Sequence, residues 1–184
     1  MKVTNCSIHG VKIINPSIFE DKRGFFFESY NKVKYKEIAE INYDFIQDNH
    51  SKSSYGVLRG LHFQRNKPQG KLVRVVQGLV FDFFVDTRKD SPSFKKFHSI
   101  EISADNKTQV WLPPGIAHGF LTLSKFAEFE YKCTDYYDPS DEYCLSWDDK
   151  SINIDFPLKK EDIIVSKKDS NGLSLEELIS QGII

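Results

Sequence analysis

Residues 71–85 read Lys-Leu-Val-Arg-Val-Val-Gln-Gly-Leu-Val-Phe-Asp-Phe-Phe-Val, and this run constrains the fold more than any other part of the sequence. Branched and aromatic side chains fit the pleated, half-buried surface of a sheet, so the run predicts two strands. Gln77-Gly78 divides the run and predicts a hairpin turn between them.

Short strand-like segments recur along the whole chain. Strands are predicted over residues 11–14, 19–30 after a turn, 45–49, 58–64, 97–102, 109–112, 117–123 and 127–137, the last of which carries Tyr131 and Tyr137. Asn15-Pro16, Asp90-Ser91-Pro92 and Pro113-Pro114-Gly115 separate them. This recurrence of short strands separated by turns favours a mainly β fold, either a sandwich or a barrel.

Helical patterns are few. Residues 31–41 predict a short amphipathic helix whose apolar face consists of Val33, Ile38 and Ile41. The segment Ser174-Leu-Glu-Glu177 is a capping box that predicts a final helix, stopped at Gly182. With 184 residues, the chain is expected to form a single domain, 1–184, with a helical tail over about 160–184.

Composition excludes several classes of protein. The net charge of -1 argues against a nucleic-acid partner, because a nucleic-acid backbone selects a basic surface. No apolar run reaches the length of about 18 residues that a membrane helix needs. The three cysteines are an odd number without paired metal spacing, and the first residues lack the apolar core of a secretory signal. We therefore expect a cytoplasmic protein.

His62 is the titratable group at the centre of the chain. In a regular strand over 58–64, Leu58, Gly60, His62 and Gln64 share one face while Arg59, Leu61 and Phe63 share the other. A lone histidine is more often a core residue hydrogen-bonded to backbone than a proton carrier, so His62 needs support from the rest of the chain.

The other residue types limit the kinds of catalysis that the chain could perform. Only His118 adds a second imidazole from a neighbouring predicted strand, which is too few ligands for a mononuclear metal site, so we expect no metal. A nucleophile elbow and a phosphate-binding glycine loop are both absent. Histidine and tyrosine with cationic support remain, a set suited to moving protons on a carbonyl compound.

Seven strings, in order over nearly the whole chain, resemble the dTDP-4-dehydrorhamnose 3,5-epimerase family. They are Arg23-Gly-Phe-Phe-Phe-Glu28, Gln47-Asp-Asn-His-Ser51, Leu58-Arg-Gly-Leu-His-Phe-Gln64, Gln69-Gly-Lys-Leu-Val-Arg-Val75, Pro114-Gly-Ile-Ala-His-Gly-Phe120, Tyr131-Lys-Cys-Thr-Asp-Tyr-Tyr137 and Ser166-Lys-Lys-Asp169. The resemblance implies a cupin-like jelly roll with a few short helices. It also implies a homodimer that acts on a nucleotide-linked 4-keto-6-deoxy sugar without metal or organic cofactor.

By the same resemblance, four residues are catalytic. His62 would be the base, Asp169 its orienting carboxylate, Lys71 the cation that holds the enolate oxygen, and Tyr131 the acid on the opposite face. A carboxylate partner fixes the histidine tautomer and stabilises the imidazolium that forms. Because Asp169 is matched through a variable tail, Asp148 and Asp149 are rivals for its role.

The resemblance also implies a binding set around the nucleotide, diphosphate and sugar: Arg23, Glu28, Gln47, Asn49, Arg59, His118, Tyr137, Glu142 and Lys168. Arg59 and Lys168 suit a diphosphate, since charge-assisted bonds to phosphate are strong. In the family, the strand with Arg23 and Glu28 can reach the site of the partner subunit.

The sequence also allows other activities. As a family relative with an altered outcome, the chain could epimerise C3 alone, act as a ketoisomerase, or take another nucleotide sugar such as a GDP-4-keto-heptose. A catalytically silent nucleotide-sugar-binding cupin is a more remote alternative. Phe63 stands where tyrosine is common, and Trp147-Asp-Asp-Lys replaces a more usual Trp-Asn-Asp-Pro.

Overall fold

Two antiparallel sheets form the body of the protein in a computed structural model that describes residues 1–184. The elements are β1 (Lys2–Asn5), β2 (Lys12–Asn15), β3 (Phe19–Asp21), β4 (Gly24–Phe26), α1 (Lys32–Ile38), β5 (Gln47–Ser54), β6 (Val57–Gln64), β7 (Lys71–Gln77), β8 (Leu79–Asp86), β9 (Phe97–Ser103), β10 (Gln109–Leu112), β11 (Ile116–Thr122), β12 (Phe126–Cys133), β13 (Glu142–Cys144), β14 (Ile164–Val165) and α2 (Leu175–Ser180). The prediction of a mainly β fold with few short helices is confirmed.

The first sheet has the strand order β1-β2-β10-β7-β12-β5, and the second has the order β13-β6-β11-β8-β9. The short strand β14 adds to β6 in parallel, and β3 pairs only with β4 as a separate hairpin. The core between the sheets is a cluster of 13 buried apolar residues, in which the rings of Phe120 and Phe129 stack at 4.4 Å. The two sheets pack face to face, which makes the fold a β-sandwich.

The outer faces of the two sheets are covered by the helical parts of the chain. Leu58, Leu61 and Phe63 on β6 pack with the C-terminal segment, including Leu175 and Leu178 of α2. Asn31 caps the start of α1, and the capping box predicted at the start of α2 is present. Neither helix is long and apolar enough to cross a membrane.

The apolar face predicted for the first helix is wrong at two of its three residues, since of the three only Ile41 is buried. Val33 and Ile38 are 62% and 50% exposed, whereas Tyr35 and Ala39 are buried against the first sheet. Tyr35 decides the orientation because its ring fills the contact and its hydroxyl donates to the Gln109 amide oxygen at 2.5 Å.

Two of the strand predictions are also wrong. Gln77-Gly78 does not close a hairpin, since β7 pairs with β10 and β12 while β8 pairs with β9 and β11. The chain crosses between sheets there, with Gly78 at a φ of +82°. Strand β12 ends at Cys133, opposite the first residue of β5, so Tyr137 has no strand to pair with and lies in a loop.

Candidate active site

A cavity of about 490 Å³ opens between the two sheets on the side of β5 and β6. The first sheet contributes β5, β7 and β12, and the second contributes β6, β11 and the segment that follows β14. Seven of the residues that the sequence singles out line this cavity: Arg59, His62, Lys71, His118, Tyr131, Lys168 and Asp169.

The close approach of β6 to β11 determines which side chains of β6 face the cavity. The predicted alternation, which placed Arg59 opposite His62, is wrong, because both residues line the cavity. The ladder between β6 and β11 shifts register here, and Gly60 has a φ of +111°. A Cβ atom at Gly60 would lie 2.5 Å from the carbonyl oxygen of His118, so the position needs glycine.

His62 and Asp169 form a hydrogen-bonded pair in the cavity wall. The His62 Nε2–H donates to Asp169 Oδ1 at 2.5 Å. Burial raises the pKa of Asp169, but the hydrogen bond and charge of His62 outweigh burial and lower the pKa below its usual range. Asp169 is therefore an ionised acceptor, and His62 Nδ1 is left free to take a proton.

The parallel pairing of β14 with β6 brings Asp169 to this position from a distant part of the sequence. Asp148 and Asp149 do not contact His62. Asp148 accepts from Ser146 and pairs with Lys160, while an oxygen of Asp149 accepts from the Leu175 N–H at the start of α2. Of the three rival carboxylates, Asp169 is the one that contacts the imidazole.

Lys71 is the buried cation of the site. It begins β7, its residue is only 9% exposed, and its Nζ donates to the carbonyl oxygen of His62 at 3.3 Å. Burial lowers the pKa of Lys71, since a charged amine is costly to remove from water. No carboxylate forms an ion pair with it, so its charge is available to an anionic centre in the cavity.

Tyr131 lies on the other wall from His62. It belongs to β12 of the first sheet, whereas His62 belongs to β6 of the second. Burial raises the pKa of Tyr131 to about 12, so the phenol keeps its proton at neutral pH. The cavity therefore has a potential base on one side and a potential acid on the other.

A second histidine pair lies deeper in the cavity. His118 is the cross-strand partner of His62, and its Nε2–H donates to Asp82 Oδ1 at 2.7 Å. Asp82 is fully buried, and burial raises its pKa while His118 acts in the opposite direction. Sequence reasoning missed Asp82, although a lone carboxylate between Phe81 and Phe83 was a usable signal.

A chain of polar contacts starts at Lys168 in the cavity wall and connects Glu142, Tyr137, Gln47 and Asn49, which do not themselves line the cavity. Lys168 pairs with Glu142, which also accepts from the Tyr137 hydroxyl at 2.9 Å. The Tyr137 backbone N–H donates to Gln47, and Gln47 in turn donates to Asn49. Arg59, an exposed residue of the cavity wall, donates through Nε to the buried Ser53 at 3.0 Å, which leaves the rest of its guanidinium for a ligand.

Arg23 and Glu28 do not line the cavity of their own chain. Arg23 is in the β3–β4 hairpin, where it pairs with Asp21 on the surface. Glu28 accepts from Lys34 and Asn31 at the start of α1. Their roles in binding stay predictions.

One group of side chains has the composition of a metal site. Potential ligand atoms of His62, Cys144 and Asp169 lie within 4.8 Å of one another. Cys144 is the cross-strand neighbour of His62 on β13, and sequence reasoning missed it as well.

The sequence profile described as dTDP-4-dehydrorhamnose 3,5-epimerase matches residues 5–177 of the chain. The chain belongs to the dTDP-4-dehydrorhamnose 3,5-epimerase family. A Salmonella typhimurium protein of that name is 52% identical over 161 residues, which cover 87% of this chain and 88% of the relative.

Solved structures agree with this family and confirm the cupin-like jelly roll. A dTDP-6-deoxy-D-glucose-3,5-epimerase from Legionella pneumophila, in complex with dTDP-4-keto-L-rhamnose, superposes with a TM-score of 0.94 at 45% identity, covering 100% of this chain and 96% of that one. A 3'-monoepimerase from Streptomyces bikiniensis, in complex with dTDP-quinovose, has a TM-score of 0.89 at 29% identity, covering 97% and 90%. The same fold thus supports epimerisation at one centre or at two.

Proposed function

We propose that the protein inverts C3 and C5 of dTDP-4-dehydro-6-deoxy-D-glucose and so forms dTDP-4-dehydro-L-rhamnose. The observation that carries this proposal is the placement of the His62–Asp169 pair and Tyr131 on opposite walls of one cavity, with Lys71 beside them. Inversion of a carbon needs one group to remove a proton and another to return one on the other face. Membership of the epimerase family supports the same reaction.

The reaction begins at a carbon next to the C4 ketone. His62 Nδ1 takes the proton from C3 or C5, and the electron pair moves into the C4 oxygen to form an enolate. Asp169 stabilises the imidazolium, and the Lys71 ammonium stabilises the negative oxygen. Because Lys71 and Asp169 are buried, their charge interactions are stronger than they would be in water.

Tyr131 completes the inversion. Its hydroxyl gives a proton to the opposite face of the carbon, the enolate electrons return to that carbon, and the C4 ketone forms again. The tyrosinate then regains a proton from solvent while the imidazolium loses one. Atoms and charge balance over the cycle, and repetition at the second carbon gives the doubly inverted sugar. No step requires a metal or an organic cofactor.

Substrate binding is proposed to use the charged groups around the cavity. Arg59 and Lys168 are placed to bind the diphosphate, since each offers donors to phosphate oxygens. His118 would contact the sugar from the cavity floor. Gln47, Asn49, Tyr137 and Glu142, which are connected to Lys168 by polar contacts, would bind the nucleotide.

A proton NMR time course in deuterium oxide with dTDP-4-keto-6-deoxyglucose tests the proposal. We expect the C3 and C5 signals both to disappear, and a reductase to trap the L-rhamno product. Exchange at C3 alone would instead assign the activity of a 3'-monoepimerase, the second candidate, which the Streptomyces bikiniensis structure favours. Absence of exchange at both carbons would refute the proposal for this substrate.

Two further measurements assign the chemistry. His62→Ala is expected to abolish exchange at both carbons, and unchanged exchange would remove His62 from the mechanism. Treatment with a chelator is expected to leave turnover intact. Loss of turnover that a divalent ion restores would overturn the proposed metal-free chemistry.

We further propose a homodimer in the cytoplasm, whose product supplies lipopolysaccharide or capsule synthesis. The three cysteines are free thiols, as is usual in a reducing compartment. The β3–β4 hairpin supports the dimer, because Phe19, Phe25 and Phe26 are 65%, 58% and 66% exposed. Such a patch suits burial by a second copy, which would carry Arg23 toward the other cavity.

Subunit mixing tests this arrangement. Arg23→Ala and His62→Ala are each expected to reduce activity strongly. Each mixed dimer would then hold one intact site if Arg23 serves the partner. Random mixing should restore about a quarter of wild-type activity. No recovery in proven mixed dimers, or a monomer by light scattering, would contradict the arrangement.

A further inference from the structure

His62, Cys144 and Asp169 come from three separate segments and meet in the cavity wall. Cys144 lies opposite His62 on the neighbouring strand, and its Sγ is 4.0 Å from Asp169 Oδ1. The same Asp169 oxygen is 2.5 Å from His62 Nε2. The proposed reaction uses the histidine and the aspartate but gives the thiol no role.

This set of donors suits zinc. Tetrahedral zinc takes imidazole, thiolate and carboxylate ligands at about 2.0–2.3 Å, which separates neighbouring ligand atoms by about 3.3–3.7 Å. The observed separation of 4.0 Å between sulfur and oxygen is close to that spacing. The shorter contact from nitrogen to oxygen must open by less than about 1 Å, as the metal replaces the proton between them.

The charges around the group also fit a metal. One thiolate and one carboxylate neutralise the two charges of zinc, so the bound site carries no net charge in a half-buried wall. Glu142 Oε1 lies 3.8 Å from His62 Nδ1, on the far side of the ring. A carboxylate at the second nitrogen of a metal-bound histidine is the usual arrangement that fixes its tautomer.

We propose that His62, Cys144 and Asp169 form an inhibitory site for Zn²⁺, in which the metal occupies the place of the proton between the histidine and the aspartate. When zinc binds, Cys144 loses its thiol proton to solvent. The His62 proton leaves Nε2, and a proton binds Nδ1 instead, directed at Glu142. One proton is released for each metal bound.

Inhibition follows from the change of tautomer. In the free protein, Nε2 carries the proton and Nδ1 has the lone pair that accepts a proton from the substrate. With zinc on Nε2, Nδ1 becomes a donor and has no lone pair for catalysis. The metal therefore removes the base without entering the diphosphate subsite around Arg59.

Direct binding is tested on the reduced full-length protein without substrate. Co²⁺ serves as the probe, because a cobalt–thiolate bond gives a charge-transfer absorption in the near ultraviolet. We expect this absorption in the wild type and in Cys6→Ser, and its loss on addition of Zn²⁺. It should be absent in Cys144→Ser and in Cys144→Ala, the second variant in case one fails to fold. A cobalt–thiolate band that persists in folded Cys144 variants, or no band in the wild type, would overturn the proposal.

Inhibition is tested by turnover of the dTDP-sugar, and this readout alone rests on the proposed function. Zn²⁺ should inhibit the wild type and Cys6→Ser, whereas Mg²⁺, which binds diphosphates but not thiolates, should not inhibit. Cys144→Ser should keep basal activity within about twofold and need more than about 10-fold more Zn²⁺ for half inhibition, the least that even an outer-shell partner contributes. Equal sensitivity of the wild type and Cys144→Ser would overturn the proposal. If the dTDP-sugar is not turned over, the cobalt spectra still decide the metal site.

Discussion

Asp82 accepts a hydrogen bond of 2.7 Å from His118, and its other carboxylate oxygen has no hydrogen-bond partner although it is fully buried. Burying a carboxylate in this way costs free energy unless the charge is compensated. His118 and the positive charge of Lys71 supply part of this compensation, but burial outweighs them and keeps the pKa of Asp82 above its usual range. The pair therefore orients His118 toward the cavity at some expense in stability.

Replacement of this carboxylate tests the role of the pair. In Asp82→Asn the charge-assisted bond to His118 is lost, which is worth about 1.5–3 kcal/mol. We expect kcat/KM to fall about 10- to 150-fold, mainly through KM, since His118 is proposed to bind the sugar. Steady-state kinetics with a thermal melt measures this. A lower Tm with unchanged kcat/KM would make the pair purely structural.

Replacement of Lys71 should change stability and activity in opposite directions. Its pKa in the folded state is lowered by burial, so the charged amine costs stability at every pH below that value. Lys71→Met should abolish turnover, because the cation at the enolate oxygen is lost, but raise Tm at pH 7. The wild type regains this stability as the pH rises through the folded pKa toward the unfolded one. The difference in Tm between the two proteins should therefore narrow as the pH rises through the lowered folded pKa toward the unfolded value of about 10.4.

A control for this prediction is Lys125, an exposed lysine in a turn, whose change to methionine should alter neither turnover nor Tm by much. A Lys71→Met protein that melts below the wild type at neutral pH would show that the ammonium stabilises the fold.

The sequence predicted the positions of most strands along the chain well and the orientation of their side chains less well. Most strands of the sandwich were predicted from alternating and branched residues, because local pattern reflects burial of a strand face. The face of β6 could not be predicted, since it depends on the register with β11 at Gly60, which is a contact between distant segments. The hairpin predicted at Gln77-Gly78 was wrong for the same reason, because strand pairing depends on distant segments. A hairpin and a crossing between two sheets use similar turn residues, so the local sequence does not distinguish them.

The residues of the candidate site were likewise predicted only in part. His62, Lys71 and Tyr131 were identified from the resemblance, and the structure brings their side chains to one cavity. Asp82 and Cys144 were not identified, because each matters only through a partner on a neighbouring strand. Only the fold shows these cross-strand neighbours.

Replacement of Tyr131 should separate solvent deuterium exchange at the substrate carbons from inversion of those carbons. Tyr131→Phe removes the phenol that returns a proton but leaves His62 and Lys71 in place. We expect the variant to retain part of the solvent deuterium exchange and to lose complete inversion. In the wild type, burial raises the Tyr131 pKa to about 12 and keeps the phenol protonated, so ionisation of Tyr131 should not lower the rate below about pH 11.

Proton NMR in deuterium oxide and product trapping measure the two parts separately. Normal inversion by Tyr131→Phe would exclude Tyr131 as the acid. Tyr136→Phe is a suitable control, since that side chain is 64% exposed outside the cavity.

Gly60 and Gly182 form a pair that isolates the effect of the close approach beneath the active site. Both have a positive φ, +111° and +64°, so alanine should be strained by about 1–2 kcal/mol at either position. Only Gly60 is crowded, because a Cβ there would lie 2.5 Å from the His118 carbonyl oxygen, whereas a Cβ at Gly182 meets nothing within 4 Å. Pushing β6 away from β11 would displace His62 and His118 together.

At about 3 °C per kcal/mol, we therefore expect Gly182→Ala to lower Tm by only about 3–6 °C, while Gly60→Ala, with about 1–3 kcal/mol of added overpacking, lowers it by about 6–15 °C. Gly60→Ala should also reduce deuterium exchange at C3 and C5 at a temperature where the variant is still folded. Thermal melts of the two variants with exchange measured well below Tm provide the comparison. Equal losses of Tm would mean that the backbone angle, rather than the contact between β6 and β11, makes glycine necessary at position 60.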